Sequence, residues 1–269
     1  MSGPRPDNSG TDNSGTGSGW ASLAEELARW QNTGQRVDLW WRDDDAVADT
    51  PALRRLIEIA RVPVALAVIP ADLQPDLASC LAVTTEPDRF AVLQHGFSHR
   101  NHEPPDRKKA ELGLARPGDL VLAELAQGKK ILQQAFGARA LPVLTPPWNR
   151  IAPAVIDHLP EQGFRGLTTY LPRRAPHAAA GLLQVNTHVD IIDWHGGRGF
   201  LGTDQSLALL TQHLRARRLK EADRIEPTGI LTHHLVHDAA SWLFLERLQD
   251  WLSTYPVIRW LTAREVFAP

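Results

Sequence analysis

With 269 residues and 43% hydrophobic content, the chain can bury a sizeable core, as one large domain or two small ones. Its formal net charge of −2 leaves no basic surplus for nucleic acid or an anionic membrane surface. No stretch approaches the roughly 20 apolar residues that a membrane span requires.

Residues 1–19 are rich in Gly, Ser, Asn, Asp and Pro and lack the apolar centre of a secretory leader. They are expected to form a disordered tail, and a cytoplasmic location fits. Residues 20–269 show no internal repeat or linker and read as a single domain. Helical spacing of Trp20, Leu23, Leu27 and Trp30 predicts a first helix, followed by a strand over 37–41. Thr50-Pro51 supplies an N-cap and a first-turn proline for the next helix. The apolar, β-branched run 62–69 has the character of a parallel strand buried on both faces. A helix over 72–83, a strand over 90–94, an amphipathic helix over 119–136 and a strand over 141–144 come next. Then follow a helix over 153–162, short strands over 166–170, 182–186 and 229–233, helices over 206–218 and 239–253, and a last strand over 257–260. Cys80, the sole cysteine, excludes an intrachain disulfide, and its apolar helical context predicts a buried, inert thiol. The strand–helix alternation calls for a parallel sheet covered by helices, closed or nearly closed into a barrel.

Polar clusters follow five of these strands: Asp43-Asp44-Asp45, His95-Gly96-Phe97-Ser98-His99, Thr145-Pro146-Pro147-Trp148-Asn149-Arg150, Asp190-Ile191-Ile192-Asp193-Trp194 and His233-His234. In parallel barrels the chemistry sits at the C-terminal strand ends. A carboxylate converging with two or three imidazoles suits Zn²⁺, with Co²⁺, Ni²⁺ or Mn²⁺ as other candidates. A carboxylate left over beside such a metal is a natural general base. His95 and His99 are spaced i, i+4, on one side of a helical turn, and His102 lies a turn further on as a ligand or supporting residue. The Pro146-Pro147 turn would make a rigid pocket wall with Trp148 and Asn149, and Trp148 and Trp194 offer flat apolar faces to a ligand. Arg150 could orient the base or bind an anion. Asp193, and in the same way Asp190, could orient Arg150 or a histidine.

The order and content of these clusters resemble the polysaccharide deacetylase family, of the NodB-homology or carbohydrate esterase 4 type. Trp41-Arg42-Asp43-Asp44-Asp45 stands where that family has Thr-Phe-Asp-Asp-Gly, and His95-Gly96-Phe97-Ser98-His99 where it has His-Ser/Thr-x-x-His. Asp190-Ile191-Ile192-Asp193-Trp194 matches Asp-x-x-Asp-Trp, and Ile230-Leu231-Thr232-His233-His234 matches an apolar strand ending in His. Two departures stand out: Gly96 replaces Ser/Thr, and Thr145 replaces the Arg of Arg-x-Pro-x-Gly.

The resemblance implies a distorted (β/α) barrel and metal-dependent hydrolysis of an N- or O-acyl group on a carbohydrate or related substrate. It implies a divalent metal on Asp45, His95 and His99, with Asp44 as base and Arg42 preceding the pair. Reading the pair as Asp44-Asp45 fits better than Asp43-Asp44, although strand alternation alone would put Asp43 and Asp45 on one side. His233 or His234 would protonate the leaving group, and the residues leave both open. Two other readings remain: an amidase for a small amide or imide, and a non-catalytic carbohydrate-binding barrel with a degenerate site. The expected partner in each case is a small molecule or oligosaccharide.

Overall fold

In the computed structural model, which describes residues 17–84 and 86–268, the first helix begins inside the segment expected to be tail. Helix α1 is Ser18–Asn32, and its Gly19 amide donates to the Asp204 carboxylate at 3.2 Å. Residues 1–16 of the expected tail lie outside the described residues.

Strand β1 is Val37–Ala46 and runs past its expected end, carrying the whole Asp cluster. Next come α2 (Pro51–Ile59), β2 (Val64–Val68), α3 (Pro75–Ala82) and β3 (Phe90–His95). Thr50 caps α2 as expected, its hydroxyl accepting from the Leu53 amide at 3.1 Å. Helix α4 is Gly118–Phe136, β4 Ala140–Thr145 and α5 only Pro153–Ile156, shorter than its apolar spacing suggested. The remaining elements are β5 (Gly166–Leu167), β6 (His177–Ala179), β7 (Leu182–Gln184), β8 (Val189–Asp190), α6 (Thr203–Leu219), β9 (Thr228–Thr232), α7 (Ala239–Ser253), β10 (Ile258–Trp260) and α8 (Ala263–Val266).

The sheet order is β6-β7-β5-β4-β3-β2-β1-β9-β8, with β10 beside the start of β1, and among these described strands the β6–β7 hairpin alone pairs antiparallel. One continuous segment closes the barrel. Its first half, β7, pairs with β5, and its last residues, β8, pair with β9. Between these, the Thr187 amide still reaches Thr169 at 3.0 Å while the His188 amide already reaches Gly229 at 2.7 Å. This is an α/β fold of the distorted (β/α) barrel type.

Alternation along the strands divides the core. Leu39 and Trp41 of β1, Leu66 of β2 and Val92 of β3 face an outer layer built from α1, α2, α6 and α7. Trp40, Ala65, Ala91 and Leu93 face inward, where Ala263 and Val266 of α8, with Phe267 edge-on to Trp40 at 5.8 Å, plug the lower end. Cys80 is half-buried rather than enclosed, and burial raises the pKa of its thiol. Among the described residues no helix is long and apolar enough to cross a membrane.

A second His/carboxylate group, His188, His213 and Glu226, lies at the lower ends of β8 and β9. It is unsuited to a metal. The Gly229 amide donates to His188 Nδ1 at 3.0 Å, so a neutral His188 carries its proton on Nε2, the atom facing Glu226 at 3.4 Å. The His188 and His213 rings also stack 3.5 Å apart at 15°, so their in-plane lone pairs cannot meet at one ion. Burial, reinforced by Arg217, lowers His188 to about 3 and His213 to about 2, while burial raises Glu226 to about 7. Arg173, Arg217 and Asp223 are the other charged groups that act on the cluster.

The histidines therefore contribute stability that is complete above pH ~6.5 and is lost as pH falls toward their folded values. Glu226 acts with the opposite sign, losing its contribution as pH rises through about 7. Two depressed imidazoles outweigh one raised carboxyl, so the stability this cluster contributes should decline from pH 7 to pH 5. The decline should be shallower in His213→Asn, which keeps an acceptor near the Thr228 hydroxyl. Parallel Tm–pH curves for the two proteins would refute this.

Candidate active site

The Asp cluster reaches the barrel mouth because β1 is irregular at its end. Alternation holds from Trp40 through Arg42 to Asp44, so Arg42 and Asp44 face inward and Asp43 outward. The pairing with β2 then shifts register between Asp43 and Ala46, and Asp45 takes a left-handed φ of 74°. That break turns Asp45 back toward His95 and His99, against the alternation expected from sequence. Its Oδ1 lies 3.1 Å from His95 Nε2 and 3.4 Å from His99 Nε2.

These three side chains have the donor set and spacing of a divalent-metal centre. Ligands about 2.0–2.1 Å from a tetrahedral ion lie roughly 3.3–3.4 Å from one another. His95 Nδ1 stands 2.9 Å from the Thr145 carbonyl, which can only accept. Nδ1 therefore carries the proton and Nε2 offers its lone pair inward, the orientation a metal ligand requires. Asp45 Oδ1 is buried and has no hydrogen-bond donor of good geometry. Burial works against the Asp45 carboxylate, yet His95 outweighs it and holds the pKa well below the usual carboxylate range. Burial also lowers His95, but Asp44 and Asp45 reverse this and raise it. His99 falls, through burial and the neighbouring His95. His102 is not in this group; its amide ties the following loop to the Ala110 carbonyl at 3.1 Å.

Asp44 is gripped by the guanidinium two residues before it. Arg42 Nε and Nη2 reach the two Asp44 oxygens at 2.8 and 3.0 Å, a bidentate pair at 0% and 3% side-chain exposure. Nη1 donates to the Thr168 hydroxyl and the Thr169 carbonyl, and Nη2 also donates to Asn149 Oδ1 at 2.8 Å. Asn149, expected beside substrate, thus holds Arg42. Arg150, expected beside the base, instead donates to the Lys109 carbonyl at 2.8 Å on an exposed groove. The guanidinium beside Asp44 is thus that of Arg42 on β1, not that of Arg150.

His233 and His234 end β9 with opposite surroundings. His234 is buried, its Nδ1 and amide both on the Asp43 carboxylate, which also takes the Thr232 hydroxyl. Trp41 Nε1 donates in turn to that hydroxyl at 2.7 Å. Burial would raise Asp43, but His234 outweighs it and lowers the pKa. His233 is half-buried at the mouth, within electrostatic reach of Asp45 and Asp190, with its Nδ1 unpartnered. Trp194 stands edge-on to it at 4.7 Å.

Asp190, rather than Asp193, faces this histidine. Its Oδ2 accepts from Trp194 Nε1 at 2.8 Å, and burial raises its pKa despite the opposing His233. The Asp193 carboxylate turns away to accept the His195 and Gly196 amides and to close its own loop. On the opposite rim Trp148 packs 4.5 Å from His99. Pro147 is buried against Gly96 instead of lining the cleft. Trp40, Trp41 and Trp242, near the clusters in sequence, are likewise buried. Asp45, His99, Trp148 and Asn149 all have positive φ, so four of the strained non-glycine positions gather here.

No family model matches the chain, and no curated protein does. Its fold matches solved structures over most of its length. A Mycobacterium smegmatis protein named as a polysaccharide deacetylase superposes with a TM-score of 0.62 at 15% identity, over 87% of this chain and 90% of that one. A Streptococcus mutans CE4 esterase gives 0.54 at 16% identity, over 89% and 91%. A family 4 carbohydrate esterase from Streptomyces lividans, solved with acetate, gives 0.51 at 15% identity, over 83% and 90%. The chain has the fold of the polysaccharide deacetylases and CE4 esterases.

Proposed function

We propose that the protein is a metal-dependent deacylase that removes an N- or O-acetyl group from a carbohydrate. The observation that carries this reading is the convergence, at one barrel mouth, of the Asp45–His95–His99 group and the Arg42-clamped Asp44, with His233 beside them. The similar structures with related names support the carbohydrate assignment.

Asp45 and the Nε2 atoms of His95 and His99 would hold a divalent cation, Zn²⁺ by preference for this ligand set. When bound, the cation polarises the acyl carbonyl and lowers the pKa of water. Asp44 takes the proton of the attacking water, its lone pairs aimed by Arg42. His233 gives a proton to the departing amine or alcohol, since it opens on the cleft while His234 is committed to Asp43. Trp194, itself held by Asp190, packs against the His233 ring. Asp43 and His234 tie the end of β9 to β1, which sets the height of His233. Trp148 and Trp194 flank the cleft and offer aromatic faces to a sugar ring. The Arg42 guanidinium on Asp44 supports the catalytic reading over a degenerate barrel.

The test is metal content by elemental analysis, read with acetate release from chitooligosaccharides, acetylated xylan and simple acetamides. Near-stoichiometric metal in the native protein, lost in His95→Ala/His99→Ala together with acetate release, is the expected result. Absence of metal after reconstitution would refute the proposal. Turnover of acetamides but not of saccharides would move the substrate to a small amide.

A further inference from the structure

We propose that Glu111 is the positioning residue for His99. Its buried carboxylate enters from a separate segment and sets the loop that carries this ligand. The inference rests on the metal reading above.

Glu111 is 1% exposed, and a carboxylate at that depth is costly unless it is fully hydrogen-bonded. Its partners all lie on the loop after β3. Oε1 and Oε2 accept the Phe97 amide at 3.3 and 3.2 Å, and Oε1 accepts the Ser98 amide at 2.6 Å and the Ser98 hydroxyl at 3.0 Å. The carboxylate thus spans the two residues that immediately precede His99. Charge-assisted bonds of this kind are about twice as strong as neutral ones.

Gly96 is what admits the carboxylate. A Cβ at that position would stand 2.0 Å from Glu111 Oε2 and 2.7 Å from the Pro147 ring, and φ is +55°. A Ser or Thr at position 96, as in the resembled motif, and a carboxylate in this place exclude each other. The departure at Gly96 and the presence of Glu111 are therefore two sides of one arrangement.

Glu111 is itself anchored. Ala110 accepts the His102 amide, and Leu112 bridges Ile151 and accepts the Ala152 amide at 2.8 Å. Ile151 and Ala152 come three and four residues after Trp148, which packs on His99. The segments that carry Glu111 and Trp148, on either side of the His99 loop, are thus joined to each other. His95 is held independently, by β3 and the Thr145 carbonyl. Loss of the Glu111 charge should therefore free His99 and leave His95 in place.

The test is Co²⁺ titration of the metal-free protein, followed by visible absorption, with Tm recorded for each metal-free variant. Glu111→Gln keeps the volume and removes the charge. Its Kd for Co²⁺ should rise 10–100-fold, the usual effect of losing a partner that orients a ligand. In a His99→Ala background the same substitution should change Kd by less than about twofold, which a merely structural role would not produce. Ser98→Ala removes only the hydroxyl contact and should raise Kd by about threefold, and it stands in if Glu111→Gln does not fold. A folded Glu111→Gln that binds Co²⁺ as the native protein does would overturn the proposal, as would equal losses with and without His99. An unchanged Kd in Ser98→Ala would overturn it too. Native protein that binds no Co²⁺ removes the metal reading and this inference together, whereas native binding with an indifferent Glu111→Gln removes this inference alone.

Discussion

Asp44→Asn is expected to lower kcat by about 10²–10⁴-fold, the range over which a positioned general base contributes, while the metal stays bound. Asparagine keeps an oxygen for one Arg42 donor and retains the shape of the site, but it cannot take a proton from water. Metal held by Asp45, His95 and His99 does not require Asp44, so elemental analysis should give the native stoichiometry. Acetate release at saturating substrate, measured beside metal content, checks both halves. An active Asp44→Asn would remove Asp44 as base. A variant that loses its metal would place Asp44 among the ligands.

Arg42 carries the second large effect, and it falls on stability as well as rate. Replacing Arg42 by Met leaves the Asp44 carboxylate buried without its cation, and Thr168 and Asn149 without their donor. Breaking a buried pair from one side costs about 3–5 kcal/mol, a large part of a typical domain's stability. Denaturant unfolding should show that loss as a lower midpoint with an unchanged slope. Arg42→Lys keeps a charge but cannot reach both oxygens of Asp44 and Asn149 at once. It should fold better than the Met variant and still lose at least about 10²-fold in kcat, since the base is no longer aimed. A fully active Arg42→Lys would show that charge alone, without the fork, is enough.

The fold was legible because its strands carry the alternation of a buried sheet and its helices carry their caps. Thr50-Pro51 marked α2, and the run beginning at Val62 contained β2. The end of α5 was not legible, since its apolar spacing continues into turns after Ile156. Of the candidate site, Asp45, His95 and His99 lie together in space. What spacing could not show was direction. Strand alternation placed Asp45 with Asp43, and a register shift with a left-handed φ undid it.

Arg150 drew attention by lying next to a cluster, whereas Arg42 entered only as the residue that the resemblance places before the Asp pair. A buried Arg two residues before an Asp on a strand was the available signal, because i and i+2 share a face. Asp190 and Asp193 are equivalent in the motif and separate only once the loop over 193–199 is seen to consume one of them. Glu111 had no signal in spacing at all; the nearest hint was an unexplained glycine at position 96.

The segment that closes the barrel also decides where the chain could be cut and rejoined. Residues 182–190 stitch two seams, one to β5 and one to β9, so a break there would unzip the cylinder on both sides. The β6–β7 hairpin that leads into it hangs from the sheet by β7 alone, and its turn at Ala180-Gly181 is exposed, with Gly181 at a φ of +75°. New termini, or an inserted reporter domain, would leave both seams sewn if placed at that turn.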